Sequence, residues 1–281
     1  VLAAASPRVG NGHPLAAFEA GVNDGPWVLP DDHQRLNAVV RYTQGDTVNG
    51  LALTGMTYRA DWNSTDQIPR RAVESGLIDR FGTIDPSDGG ESSRYSASLE
   101  WQRAQGGTST ALSAYGIGYD LSLFSNFSFF LGDQERGDQF EQVDNRFVSG
   151  ARVSHSRLGR LGGRPMQNTF GGQLRHDHIS DVGLHLSQAR QRFATVREDS
   201  VVQTSTGAWV QNDVEWKPWL RTIAGVRADL YRFSVDADNP LNSGVETAAL
   251  ASPKGGVIIG PFSGTEFYVN AGMGFHSNDA R

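Results

Sequence analysis

The chain has no cysteine, which excludes disulfide staples and thiolate metal sites. It also lacks any apolar run approaching the roughly 20 residues of a membrane-crossing helix, so a helical membrane protein is excluded. Hydrophobic residues make up only 38% of the 281 positions, and charged residues 20%. The net charge of −6, with a pI near 5.6, runs against a nucleic-acid binder, which needs a basic footprint. Glycine is abundant at 33 residues, but beside 11 prolines it shows no collagen-like period. The glycines fall in turns and on the small faces of extended segments, where they permit curvature and close approach.

What is present is a regular beat. From Leu15 onward eleven candidate strands can be counted, joined alternately by a long polar loop and a short turn. The long connections are Asn23–His33, Asp61–Ser92, Ser125–Glu141, Ile179–Gln203 and Val235–Val245. The short ones are Gln44–Thr47, Gln105–Thr108, Arg157–Pro165, Lys217–Pro218 and Gly260–Gly264. An antiparallel sheet with all its turns on one side and all its loops on the other has a sided environment, as outer-membrane β-barrels do.

Most strands carry the period of two that puts alternate side chains on opposite faces. It is weaker in Val48–Ala60, Gly207–Trp216 and Leu220–Phe233, the last two interrupted by Asn212 and Ile223. Leu36, Ala38, Val40 and Tyr42 alternate with Arg35, Asn37 and Arg41. Tyr95, Ala97, Leu99 and Trp101 oppose Arg94, Ser96, Ser98 and Glu100. Thr110–Phe124 sets Ala111, Tyr115, Ile117, Tyr119, Leu121 and Leu123 against a small or polar face with Gly116, Gly118 and Asp120. Phe267, Val269, Ala271, Met273 and Phe275 form a further wall. A soluble β-sandwich would show the same alternation. Strand lengths favour the membrane, since a tilted crossing needs about 9–11 residues. So do aromatics near strand ends, expected as interfacial girdles: Trp27, Tyr58, Trp62, Phe124, Trp216, Trp219 and Phe275. The fold expected is all-β, an antiparallel up-and-down transmembrane β-barrel.

Ser252-Pro253-Lys254 is expected to begin a strand, Gly260–Gly264 to turn it, and Thr265-Glu266-Phe267-Tyr268-Val269-Asn270 to return. The sequence then runs through Gly274-Phe275-His276-Ser277-Asn278-Asp279-Ala280-Arg281. This hairpin resembles the late barrel of TonB-dependent outer-membrane receptors. Gly225-Val226-Arg227-Ala228-Asp229 resembles the family's G-x-R-x-D strand, and Asn23-Asp24-Gly25-Pro26-Trp27 and Trp62–Pro69 resemble its loops. That family uses a plugged barrel of about 22 strands, so residues 1–281 are expected to be an incomplete barrel domain, about half of one. The plug domain and the C-terminal strands are expected to lie outside it. The resemblance implies energised uptake of a scarce nutrient, with a ferric siderophore or similar chelate as the default extracellular ligand. The implied partners are the TonB–ExbB–ExbD complex, acting through the plug, and the lipid bilayer with its lipopolysaccharide; nucleic acid is not among them. The implied location is the outer membrane of a Gram-negative bacterium. A passive porin or barrel enzyme, or a soluble carbohydrate-binding module, remains the alternative reading.

No catalytic, cofactor or metal residue is singled out, and the substrate-binding residues stay unknown. Arg175-His176-Asp177-His178 puts two histidines on one strand face, but a polar strand end suffices to explain them. Asp236, Asp238 and Asn239, like Asp85, Asp88 and Glu91, lack the D-x-[DN]-x-[DN]-G order of a calcium loop and read as Asx-rich turns. No G-x-S-x-G elbow is present, and no enzyme is expected. Two stretches are candidates for substrate contact: Asp61–Ser92, with Trp62, Arg70, Arg71, Arg80 and Phe81, and Ser187–Arg197, with Arg190, Arg192 and Arg197.

Overall fold

The structure is a computed structural model in which residues 1–275 are described. One antiparallel sheet holds twelve strands in sequence order, each bonded to its neighbours along the chain. They are β1 (Leu2–Ala5), β2 (Gly12–Asn23), β3 (His33–Gly45), β4 (Gly50–Asn63), β5 (Gly89–Gln105) and β6 (Thr108–Ser125). The second half comprises β7 (Phe140–Leu161), β8 (Arg164–Gln188), β9 (Gln191–Lys217), β10 (Leu220–Ala237), β11 (Gly244–Phe262) and β12 (Thr265–Gly272). All eleven expected strands form. β1 was not expected, because four exposed residues in an alanine-rich run carry no readable alternation. A five-residue helix, α1 (Arg70–Glu74), and a 3-10 turn at Pro240–Asn242 sit in connections.

The pairing register fixes the two faces of the sheet. On one lie Phe18, Leu36, Val40, Leu53, Tyr95, Leu99, Trp101, Phe147, Val153, Phe170, Leu174, Val210, Val226 and Leu230, in register from strand to strand. These side chains are open to the surroundings: Phe147 is 51% exposed, Phe170 53%, Val210 49% and Leu230 50%. About half of the buried side chains are polar, including Asp88, Asn126, Gln139, Glu141, His185, Asp199 and Asp229. A water-soluble sandwich buries its apolar wall, whereas this sheet turns it outward over strands long enough to cross a bilayer. That is the inversion a lipid-facing barrel wall requires.

Four expectations are corrected. The first concerns Ile179–Gln203, which is not a loop. β8 and β9 continue as 25- and 27-residue strands and meet at a two-residue turn, Ala189-Arg190. Both turn residues have positive φ, 50° and 62°. Turns of that type are ordinarily signalled by Gly, Asn or Asp, as at Gly106-Gly107 (58° and 77°) and Gly162-Gly163 (55° and 81°). Ala-Arg carries no such signal, so the hairpin could not be read.

The second correction inverts β6. Its register with β5 pairs Tyr119 with Arg94 and Tyr115 with Ser98, so the aromatic side of β6 shares the polar face. Gly116 and Gly118 turn outward, and the Phe147 ring packs over Gly116, where an added Cβ would lie 3.3 Å from its Cζ. The third is that Ser252-Pro253-Lys254 lies inside β11 and begins no strand. Pro253 sits where the ladder to β12 ends, at Lys254↔Gly272, a position that tolerates the missing N–H.

The fourth correction thins the aromatic girdle. Trp216 and Trp219 do sit at the short-turn end, with Trp219 6.4 Å from Phe262. Tyr58, however, shares the polar face with Arg94, Phe124 lies under the Arg190 guanidinium, and Phe275 meets Tyr231 edge-on at 5.7 Å. β12 ends at Gly272, and the residues from His276 to Arg281 lie outside those described.

Candidate functional site

The polar face is organised by register. One row runs across six strands as Glu19, Asn37, Tyr58, Arg94, Tyr119 and Arg146, each paired with the next. Strand pairing places such partners about 5 Å apart, so Arg94 stands between two phenols near the loop ends of β4–β6. Asn37 and Arg35 hold Glu19, with Arg35 Nη2 at 2.5 Å and Asn37 Nδ2 at 2.9 Å. Arg146 is held by Asp144 through Nε at 2.6 Å. Among the described residues no carboxylate pairs with exposed Arg94.

A second group lies nearer the short turns. Trp209 is flanked by the guanidinium groups of Arg152, 4.8 Å from its ring centroid, and Arg227, 5.6 Å away. Gly171 makes room for this ring, since a Cβ there would collide with Trp209 and with the Val153 carbonyl. Arg227 is neutralised by Asp229, whose Oδ2 lies 2.7 Å from Nε. Arg152 has no such partner among the described residues. It opens into a groove shared with Arg41, Glu100, Ser113 and Ser154.

On the loop side, three connections are tied together. Arg190 at the β8–β9 turn donates from Nε to the Ser87 carbonyl at 2.7 Å and from Nη2 to the Asp88 carbonyl at 3.0 Å. Nη2 also reaches Asn63 Oδ1 at 3.1 Å. The Gln139 side chain accepts from Arg190 N–H at 2.9 Å and from Ser187 Oγ at 3.0 Å. Its Nε2 donates to Ser87 Oγ at 2.8 Å and to Asp88 Oδ1 at 3.2 Å. Asn126 bridges Asp66, through its backbone N–H at 3.1 Å, to Asp85, through Nδ2 at 2.8 Å. The segments 64–88, 126–139 and 189–190 thus form one network.

The basic stretch of Ser187–Arg197 enters this network. Arg192 pairs with Glu141 (Nη2–Oε1 3.0 Å) and Arg197 with Asp199 (2.6 Å), so its arginines hold protein groups. In the stretch Asp61–Ser92, Arg70 pairs along α1 with Glu74 at 2.7 Å. Phe81 lies against the Arg80 guanidinium, 5.9 Å from its ring centroid, and meets Trp27 in a tilted contact at 6.0 Å. His176 bonds Thr204 Oγ1 at 2.9 Å, and among the described residues no metal-holding cluster of three such side chains forms. Asn239 caps its own turn by accepting from Leu241 N–H at 3.1 Å. The row through Tyr58, Arg94 and Tyr119 was not legible in sequence, because only the register brings these residues together.

A sequence profile for the TonB dependent receptor-like β-barrel matches residues 22–280. No curated protein sequence matches. Among solved structures, the fold is similar to the unliganded ferric citrate transporter FecA, with TM-score 0.73, 10% identity and coverage of 96% of this chain and 40% of that one. It is also similar to the open form of the ferric-catecholate import receptor Fiu from E. coli K12 (TM-score 0.66, 9% identity, 96% and 51%). A third similar structure is the siderophore receptor PiuA from Acinetobacter baumannii (TM-score 0.62, 10% identity, 93% and 45%). The chain therefore spans 40–51% of the length of these receptors. The apolar outward wall, the sided loops, the twelve-stranded order and the profile match converge: this chain belongs to the family of TonB-dependent receptor-like β-barrels.

Proposed function

We propose that this chain forms about half of the barrel of a receptor in the outer membrane of a Gram-negative bacterium, importing a scarce nutrient at the expense of TonB-delivered energy. The plug that TonB–ExbB–ExbD engages, and the strands that close the barrel, belong to the remainder of the whole protein. The cargo is a ferric siderophore or a similar anionic iron chelate. The observation that carries this reading is the Tyr58–Arg94–Tyr119 row on the polar face, close to the loops. An exposed guanidinium without a carboxylate partner among the described residues, set between two phenols, suits an anionic aromatic or carboxylate-rich chelate. Arg152, over the Trp209 ring and without a carboxylate partner among the described residues, provides a second cation further along the wall. The similar structures named for ferric citrate, ferric catecholate and siderophore import support the same class.

The test is growth of a strain lacking the gene for the whole protein on a panel of ferric chelates, vitamins and sugars as sole sources. Loss of growth on one ferric chelate is expected, restored by the wild-type gene only when TonB is present. Arg94→Ala should restore it poorly while inserting normally into the outer membrane. Growth of the deletion strain on every source, or rescue without TonB, contradicts the proposal.

A further inference from the structure

Asp88 breaks the rule that a buried carboxylate is fully paired. It is 1% exposed. Its Oδ1 accepts from Gln139 Nε2 at 3.2 Å, while its Oδ2 has no partner among the described residues. Two further carboxyl groups of the same segment, Asp66 and Asp85, face it. Asp85 is well supplied, with Ser87 N–H at 3.0 Å, Ser87 Oγ at 2.5 Å and Asn126 Nδ2 at 2.8 Å. From 126–139, only the neutral amides of Asn126 and Gln139 reach the cluster. From the β8–β9 turn comes Arg190, whose guanidinium donates to backbone carbonyls and to Asn63. Among the described residues no fixed positive charge therefore answers the three acids directly.

Either a cation or a proton could relieve this arrangement. The amide orientations decide between them. Asn126 Oδ1 accepts from Phe129 N–H at 2.7 Å, and Gln139 Oε1 accepts from Ser187 Oγ and Arg190 N–H. Both amides consequently present NH₂ groups to the carboxylates, where a cation would need oxygens. Among the described residues no cluster of three metal-ligating side chains has the geometry to hold a metal ion.

We propose that Asp88 and Asp66 share one proton, and that this acid pair is a pH-sensitive latch holding the loop-side segments 64–88, 126–139 and 189–190 together. With the proton present, Asp88 Oδ2 donates to Asp66 and Gln139 keeps its place between Asp88 and the hairpin tip. When the proton leaves, adjacent buried anions repel, and Gln139 and Arg190 lose their anchor. Burial, followed by the neighbouring charge of Asp85, pushes the Asp88 carboxyl up to about 8 from its ordinary 3.8. A group raised on folding stabilises fully below its ordinary value, and that stabilisation drains away as pH rises to the folded value. The latch is therefore firm in acid and slack above about pH 8.

The experiment is hydrogen exchange, corrected for intrinsic rates, on the intact receptor in detergent micelles from about pH 5 to about pH 9, spanning the value of about 8. In the wild type, the opening equilibrium of 126–139 and of the β8–β9 tip should rise by up to about tenfold per pH unit and level off above about 8. Asp88→Asn donates permanently to Asp66, and Asp66→Asn supplies the donor from the other side; either should make the profile flat. A flat wild-type profile overturns the proposal whether or not the variants fold. So does a wild-type slope that persists in folded Asp88→Asn, or opening by a chelator near pH 6 with reclosure by calcium.

Discussion

The Arg190 guanidinium donates to the Asp88 carbonyl at 3.0 Å across 102 residues of sequence. With its bonds to Ser87 and Asn63, it ties the β8–β9 tip to the end of the 64–88 segment. Hydrogen bonds from charged groups contribute about 1.5–3 kcal/mol each when well made. Arg190→Ala should thus loosen both segments without unfolding the sheet. Limited proteolysis of the intact receptor should cut within 64–88 and 126–139 at least several-fold faster, while the heat-modifiable gel mobility of a folded barrel stays unchanged.

The backbone of the same turn offers a separate test. Ala189 is held at φ 50°, a conformation costly for alanine and easy for asparagine or glycine. Ala189→Asn should relieve about 0.5–1 kcal/mol of strain while leaving the Arg190 bonds in place. Slower exchange of the tip amides is the expected readout. Faster exchange would mean that the turn is not strained.

These two residues also show what could be read from sequence and what could not. Leu36, Ala38, Val40 and Tyr42 announce their wall, because every outward position of β3 from Leu36 to Tyr42 is apolar and the wet positions include Arg35, Asn37 and Arg41. β6 misleads because both of its faces are mixed. Tyr115 and Tyr119 belong to the polar wall, and Gly116 yields its outward space to Phe147 of the next strand. Only the register could have told the two faces apart. The β8–β9 turn hides for a different reason, since its positive φ values are held by Gln139 and the Arg190 bonds and have no glycine to announce them. The loop network likewise depends on contacts such as Gln139–Asp88, 51 residues apart, that no local pattern records.

The two faces should respond oppositely to charge. Val210 points outward among Phe170 and Val226 and is 49% exposed on the apolar wall. Arginine near the bilayer midplane costs about 2–4 kcal/mol in a barrel. Val210→Arg should lower folding stability in lipid vesicles by that order, measured by urea titration with gel mobility as readout. Ser98→Arg, on the polar face between Thr54 and Tyr115, should change it by less than about 1 kcal/mol.

Gly171 tests the packing of the inner wall. Because its hydrogen is all that fits beneath Trp209, Gly171→Ala should push the indole from between Arg152 and Arg227. Overpacking of this kind costs about 1–3 kcal/mol. A red shift of tryptophan emission should accompany it, along with a lower urea midpoint. An unchanged spectrum would mean that the indole does not rest on this glycine.

Asp138 gives the 126–139 segment a second pH dependence, opposite in sign to that of Asp88. Its carboxylate accepts backbone N–H groups from Gly132 (2.9 and 3.1 Å), Asp133 (2.7 Å) and Leu131 (2.9 Å). These bonds, the one from Gly132 foremost, hold its pKa below the ordinary 3.8. A carboxylate depressed on folding stabilises above its ordinary value and loses that contribution as pH falls through the folded one. Ordering of residues 129–138 should therefore fade below about pH 3.8, while the Asp88 latch is at its firmest. Asp138→Asn should loosen the same residues at neutral pH, because one of its two acceptor oxygens becomes a donor facing the same N–H groups. Hydrogen exchange resolves the two effects, since the variant should raise exchange at Leu131–Asp133 and leave the slope that Asp88 imposes on the β8–β9 tip intact. If that slope changed together with Leu131–Asp133, the two acids would be acting as one unit and not as two independent switches.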